Sequence, residues 1–345
     1  MPDAQHQSID IVGGGLTGCV VAYLAKTLLD IPEVNIYESE GKLGGLCATM
    51  KVSGQRCYKY GGHTFHTHDA SIAAFVESIG NLRHRKPQCG SIVNGHLVHW
   101  PPTMQDVNFL RSENIEKDSL PDDWIWKNYY EGYNKKMWGE DWETAGRRSA
   151  KRVNVRMDDD PYLFGNQYQG DLGDTFFYIL TGKHGINVHY HTLKIKPIHP
   201  SRLCIWTAPL DLLMKTNSLP WRSVRITHET GERHLTIFNS KYQTVNLPSI
   251  HDKRLRVWDN AHFFDGSNII STMWPEDVPV GTPIRAYPIL APDNDVVLAA
   301  KQLIQDEFPN VILAGRLGTY QYLDMDKAIA NAFETIEEIK YRMQQ

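Results

Sequence analysis

No run of about 18 consecutive apolar residues occurs anywhere in the 345-residue chain, so the sequence offers no membrane-spanning helix. Cysteine is scarce. The five residues Cys19, Cys47, Cys57, Cys89 and Cys204 are odd in number and show no C-x-x-C spacing. That pattern disfavours a disulfide framework and a zinc site, and predicts a reducing, cytoplasmic setting. A secretory leader is also missing from the pattern, because acidic Asp3 and Asp10 flank the first apolar run. Charge of one sign is in short supply: the net charge is -4 and the sequence pI about 6.4, which excludes the footprint of a general nucleic-acid binder. There is no internal repeat and no low-complexity tract. What remains is an ordinary globular composition, 41% hydrophobic and 22% charged, long enough for two or three domains.

The densest information lies near the start. Ile9 to Val12 read as a β-strand, Gly13, Gly15 and Gly18 fill a G-x-G-x-x-G turn, and Leu16, Cys19, Val20, Tyr23 and Leu24 recur at helical spacing. Such a turn needs one glycine for its tightness, one for close approach of a pyrophosphate and one for helix–strand packing. Leu16 and Thr17 open the helix, whose free N–H groups would face phosphate. Val34 to Glu38 read as the next parallel strand, ending in an acid twenty positions after Gly18, where a ribose hydroxyl would be held. Gly44 and Gly45, followed by Leu46, would let the chain run close against a bound nucleotide. This second pair favours FAD over NAD. Tyr60-Gly61-Gly62-His63-Thr64-Phe65-His66-Thr67 is then a candidate loop along the isoalloxazine, and the same spacing lacks a third ligand for a metal.

Further on, Ser71 to about Gly80 reads as a helix. Ser91–Val93 and Leu97–Trp100 read as a hairpin around Asn94-Gly95. Helical segments are expected from about Met104 to Trp138. The aromatic-rich stretch 126–139 is either core or a stacking platform for a base. Arg152 and Arg156, set close to Asp158-Asp159-Asp160, are either a solvated surface or a phosphate clamp. Alternation from Ile186 to about Met273, including Val188–Tyr190 and Leu203–Trp206, suggests an antiparallel sheet. Val311 to Ala314 reads as a buried strand. Asp324 is placed to cap a last helix with the apolar stripe Met325, Ala328, Ile329, Ala332, Phe333, Ile336 and Ile339.

Taken in order, these motifs resemble those of the UDP-galactopyranose mutase family. The likeness rests on the glycine loop, Leu43-Gly44-Gly45, the Tyr60–Thr67 loop, Gly132-Tyr133 with Trp138-Gly139, Val155-Arg156, Tyr168-Gln169-Gly170, Ala286-Tyr287-Pro288-Ile289 and the run Gly315 to Met325. The resemblance implies an α/β protein: a Rossmann-like FAD-binding domain of the glutathione-reductase type, with an inserted helical domain and an antiparallel β-sheet domain. The implied boundaries are 1–75, about 183–215 and 300–345 for the FAD domain. The helical domain would span about 76–150, and the sheet or substrate domain about 151–182 and 216–299.

The activity it implies is a redox-neutral ring contraction, interconverting a UDP-pyranose such as UDP-galactopyranose with its furanose. It would run through a covalent adduct between the sugar and N5 of reduced FAD. Carried over by position, Arg156 and Arg256 would grip the diphosphate, with Tyr287 and Tyr322 on the phosphates and His63 beside the flavin as the remaining catalytic candidates. Tyr129, Tyr130, Asn134, Trp138 and Tyr168 would line the substrate pocket. Gly13, Gly15, Leu16, Thr17, Gly18, Glu38, Gly44, Gly45, Leu46, Tyr60, Gly62, His63, His66, Arg316, Tyr322, Asp324 and Met325 would bind the cofactor. An external reductant such as NAD(P)H and a homodimer also belong to the implied picture. Nucleic acid, membrane and metal do not. The chain is shorter than usual between about 101 and 150. It also carries Asn134 for a commoner threonine and Arg285-Ala286 for an acidic–aromatic pair, which leaves the sugar open among galactose, its N-acetylamino analogue and a pentose. The competing readings are a redox flavoenzyme of the amine-oxidase or desaturase type and a non-catalytic UDP-sugar-binding homologue.

Overall fold

The computed structural model describes residues 8–80, 83–84, 88–116, 119–120, 122–139, 143, 166–169, 174, 176–182, 184–192, 199, 202–214, 219–230, 241–277, 285–289 and 295–345. The first half of the described chain runs β1 (Ser8–Val12), α1 (Leu16–Thr27), β2 (Glu33–Tyr37), β3 (Thr49–Val52), β4 (Gln55–Tyr58), β5 (Phe65–Thr67), α2 (Ala70–Ile79), β6 (Arg83–His84), β7 (Cys89–Val93), β8 (His96–Trp100), α3 (Met104–Arg111), α4 (Asp122–Ile125), a π-helical turn (Trp126–Glu131) and α5 (Gly132–Trp138). It continues with β9 (Asn166–Gln169), α6 (Phe177–Gly182), β10 (Asn187–His189), β11 (Leu203–Trp206), α7 (Leu210–Met214), β12 (Trp221–Thr230), β13 (Thr244–Asn246), β14 (Arg256–Asp259) and β15 (Ile269–Asp277). The last elements are β16 (Tyr287–Pro288), α8 (Asp295–Glu307), β17 (Val311–Leu313), α9 (Gly315–Gly318) and α10 (Met325–Arg342).

Five strands form a parallel sheet in the order β10-β2-β1-β11-β17. Every residue of β1 is buried, as a parallel strand covered on both faces requires. Asp10 survives there because a polar ladder crosses the sheet. Asn35 Nδ2 donates to Asp10 Oδ1 at 3.0 Å, and Asn187 Nδ2 donates to Asn35 Oδ1 at 3.1 Å. Helices α1 and α10 close one core with Ile11, Val20, Ile36, Ala332 and Ile336. The final helix buries Ala328, Ile329, Ala332, Ile336 and Ile339 of the expected stripe, and Thr335 besides. Asp324 stands at its N-cap, but its side chain makes no capping bond.

Alternation misassigned two strands that the family resemblance had placed in the FAD domain. Val188–His189 and Leu203–Trp206 pair in parallel within the nucleotide sheet, with Ile205 opposite Ile11 and Val188 opposite Ile36. Period-two patterning cannot distinguish partners, and the strand order is settled by packing against α1.

A second, seven-stranded sheet has the order β16-β12-β15-β14-β13-β7-β8 and is antiparallel except where β13 meets β7. The hairpin at Asn94-Gly95 forms as expected, with φ of 51° and 82° at the two turn residues. It falls inside the stretch read from sequence as the helical insertion, yet its hydrogen bonds join it to the sheet. The helices that follow are locally specified. Thr103 and Asp106 form a reciprocal capping box on α3, and Asp69 caps α2 through Ser71 and Ile72. Three-stranded β5-β9-β6 links the histidine loop to the segment around Tyr168.

Candidate active site

The site begins where β1 ends. Gly13 has φ of +104°, a conformation open to glycine. The second glycine pair packs on the first loop: Gly44 N–H donates to Gly14 O at 2.8 Å, and Gly45 and Gly15 are so close that a Cβ on Gly45 would lie 3.0 Å from the Gly15 Cα. Its first role is therefore to let two backbones touch. Gly18 does not line the cavity; a Cβ there would meet Gly13 O at 2.1 Å, so its task is helix–turn packing. Thr17 lines the cavity, but its hydroxyl donates to Ala328 O and ties α1 to α10. Helix α1 has no side-chain cap and no acid in its first turn. Glu38 is buried at the edge of this loop. Its Oε2 accepts from Gly14 N–H at 2.7 Å and its Oε1 from Glu40 N–H at 2.8 Å.

A cavity of about 1010 Å³ starts at this cradle and runs to the seven-stranded sheet. That volume lies at the upper end of the range of about 300–1,000 Å³ typical of ligand sites. Gly13, Gly15, Leu16, Glu38, Gly44, Gly45, Leu46, Tyr60, Gly62, His63, His66, Arg316, Asp324 and Met325 of the expected cofactor residues line it. So do Tyr129, Tyr130, Asn134, Trp138, Arg256, Tyr287 and Tyr322 of the expected substrate residues. Arg156 lies outside the described residues, and of Tyr168 only the strand position is described, opposite Phe65.

The far half of the cavity is a cationic, aromatic box. The Tyr287 and Tyr322 rings stack with centroids 5.7 Å apart, and Trp138 meets both edgewise or tilted at 6.2 and 6.5 Å. The Arg316 guanidinium sits 5.4 and 5.0 Å from the two tyrosine rings while its Nε donates to Leu323 O at 2.8 Å. Arg256, at the start of β14, donates from Nε to Asn246 Oδ1 at 2.7 Å and lies 5.9 Å from the Tyr133 ring. This bond uses one of the five guanidinium N–H donors and orients the fork. Among the described residues no carboxylate pairs with it. Burial raises the Tyr287 phenol, with Tyr322 adding to the effect and Arg316 and Arg256 opposing it. The phenol is thus a hydrogen-bond donor at neutral pH.

His63 Nε2 is 2.7 Å from Leu46 O. A carbonyl only accepts, so Nε2 carries the proton. Burial, then the charges of Arg316 and Arg256, push its pKa down from 6.5 to about 4. The ring is neutral, and Nδ1 is an acceptor. Burial likewise raises the phenols of Tyr129 and Tyr130, both carried by the π-helical turn.

Sequence reasoning gave no site role to Tyr133, Asn246 or Asp211. Tyr133 lies within the Gly132–Trp138 motif and was legible there. Asn246 and Asp211 are distant in sequence from the arginines they hold. Arg285, in place of a usual acid, is buried and bonded through Nε and a terminal nitrogen to Asp211 at 2.8 and 2.7 Å. Its charge is balanced inside the protein and adds little to the pull on an anion.

A glycine cradle with a buried acid, opening into a box of arginine and tyrosine, is the layout of a dinucleotide-binding α/β fold with a cationic, aromatic chamber beside the cradle. Sequence comparison gives the family. A profile of the NAD(P)-binding Rossmann-like domain matches residues 11–79, and the profile of UDP-galactopyranose mutases matches residues 128–322, more than half of the chain. The chain belongs to the UDP-galactopyranose mutase family, a family of isomerases, and membership implies a flavin cofactor. A probable UDP-galactopyranose mutase of Klebsiella pneumoniae is 23% identical over 379 residues, covering 96% of this chain and 94% of that protein. The dTDP-fucopyranose mutase of Escherichia coli is 22% identical, covering 94% and 96%. Among solved structures, a reduced UDP-galactopyranose mutase superposes with a TM-score of 0.68 at 15% identity, over 98% of this chain and 94% of that one. A putative protoporphyrinogen oxidase from Exiguobacterium sp. 255-15 gives 0.65 at 14%, over 97% and 99%. Both likenesses concern the fold. No described helix is long and apolar enough to cross a membrane.

Proposed function

We propose that the protein interconverts the pyranose and furanose forms of a UDP-linked sugar, with UDP-galactose or a close analogue as substrate and FAD as cofactor. The observation that carries this reading is the single cavity in which the family's motifs converge: the glycine cradle and Glu38 at one end, Arg256, Arg316, Tyr287, Tyr322 and Trp138 at the other. The Gly13, Gly15, Gly44 and Gly45 backbones and the α1 N-terminus would hold the FAD pyrophosphate, and Glu38 the ribose. Bound and reduced, FAD supplies a nucleophilic nitrogen for the anomeric carbon, so the reaction needs no net oxidation.

The protein's own part is electrostatic. As the anomeric bond breaks, charge builds on the leaving diphosphate, and Arg256, joined by Arg156, would receive it. Tyr287 and Tyr322 donate hydrogen bonds to the same oxygens. The neutral His63 ring presents an acceptor beside the cofactor without adding a proton source. Tyr129, Tyr130 and Asn134 supply the wall for the base. All five cysteines are free thiols, in keeping with a cytoplasmic setting where a reductant such as NAD(P)H is at hand. A homodimer belongs to the same reading.

The test is to incubate dithionite-reduced protein with UDP-pyranoses, UDP-furanoses and their dTDP counterparts, and to separate the products by chromatography. Ring interconversion is expected only with reduced protein and without consumption of reductant. Equal turnover by oxidised protein would rule out the reduced-flavin nucleophile, and product formed in step with oxygen uptake would point instead to a redox enzyme sharing the oxidase-like fold.

A further inference from the structure

Helix α5 carries Asn134, Met137 and Trp138 into the cavity, yet its best-made bonds are on another side. Lys136 Nζ donates to three backbone carbonyls of one turn: Leu247 O at 2.5 Å, Asp252 O at 2.8 Å and Arg254 O at 2.6 Å. An ammonium has three N–H donors and no acceptor, so the three carbonyls use its full capacity. The turn they belong to joins β13 to β14. Immediately before it stands Asn246 and just after it Arg256, opposite one another in register and bonded side chain to side chain.

Gly132 explains how close the two pieces come. A Cβ there would lie 2.2 Å from Pro248 O, so the first residue of α5 rests on the same turn. The other end of the helix is fixed independently. Buried Arg222 donates from Nε to Met137 O, and its strand partner is Tyr287. Helix α5 is thus fastened at one point to the strand pair of Arg256 and at another to the strand pair of Tyr287.

We propose that Lys136 is a positioning residue for the anion site: by gripping the 247–254 turn it sets where the Asn246–Arg256 pair stands relative to Trp138 and the tyrosines. The inference rests on the reading of the cavity as a UDP-sugar site. Loss of the ammonium leaves the three carbonyls of this turn without that donor. The turn then relaxes and the guanidinium moves off the position at which it meets the diphosphate. A displacement of about 1 Å is enough to cost on the order of a hundredfold when it affects a group that must meet developing charge.

The test uses the flavin-loaded protein and UDP as probe, followed by flavin absorbance and fluorescence, with KM and kcat of the reduced enzyme measured alongside. Lys136→Met keeps the apolar stem and loses the donors. It is expected to retain FAD and to weaken UDP binding and raise KM at least tenfold. Lys136→Arg, which keeps donors for the carbonyls, is expected to recover binding to within about threefold of wild type. In an Arg256→Met background, Lys136→Met is expected to add less than twofold, because it acts through the residue already removed. UDP binding by Lys136→Met within twofold of wild type overturns the inference, as does a full tenfold loss persisting in the Arg256→Met background. If Lys136→Met loses its flavin, Lys136→Gln, which keeps one donor group, takes its place in the same comparison. Wild-type protein that holds flavin and ignores UDP would instead bring down the underlying reading and the inference with it.

Discussion

Arg256→Met tests the electrostatic account most directly. The substitution keeps an unbranched apolar side chain and removes the guanidinium whose Nε is held by Asn246 Oδ1 at 2.7 Å. A unit charge about 4–5 Å from the leaving phosphate, in surroundings of effective dielectric near 20, contributes roughly 3–4 kcal/mol. Removal of one preorganised donor from a site of developing charge costs about 2.7–4 kcal/mol in well-studied enzymes. The two routes agree, and predict a fall in turnover of about 100- to 1,000-fold. Asn246→Leu removes only the bond that orients the fork, worth about 1 kcal/mol, so a loss near fivefold is expected. Since Asn246 acts through Arg256, the double variant should be no worse than Arg256→Met alone. The assay is chromatographic conversion of a UDP-furanose by dithionite-reduced protein at saturating and limiting substrate. Turnover by Arg256→Met within fivefold of wild type would refute the reasoning, and so would a separate fivefold loss from Asn246→Leu in the Arg256→Met background.

Other perturbations bear on the rest of the site. Glu38→Gln weakens a charged acceptor bonded to Gly14 and Glu40 N–H groups, and should raise the FAD dissociation constant about ten- to a hundredfold by fluorescence titration. His63 is neutral in the fold, with its pKa lowered from 6.5 to about 4. The unfolded chain therefore takes up a proton first as pH falls. Stability from this residue is complete above about 6.5, declines between 6.5 and 4, and levels off below, by up to about 3 kcal/mol. Denaturant melts across that range should show a shallower acid slope for His63→Gln, and an unchanged slope would exclude a ring held neutral in the fold. Asp211→Ala removes the carboxylate that balances the buried Arg285 guanidinium and should cost about 3–5 kcal/mol in urea unfolding; a loss under about 1 kcal/mol would mean the pair is open to water.

Much of the first domain was legible because its signals are local. A strand, a glycine turn, a helix and an acid at the right distance specify a nucleotide cradle within about forty residues, and the Asn94-Gly95 turn specifies its own hairpin. That the tyrosines and Trp138 belong together was legible through the order of short motifs, and the structure has them line one cavity. Their stacking was not, since it depends on β16, the loop before α10, and α5 meeting at one place. Residues 188–189 and 203–206 illustrate the limit from the other direction. Their alternation announces strands, while membership of the parallel sheet follows from which neighbours bury Ile11 and Ile36.

The sequence by itself determined the strand, glycine turn, helix and following acid that shape the cradle, since those demands are met within one βαβ unit. Tertiary structure alone decided that Arg256 is steadied by Asn246, that Arg285 is neutralised by Asp211, and that Lys136 fastens the turn between them. Each of these joins partners across separate elements, and a charge finds its partner through the packing of those elements, which spacing along the chain does not encode.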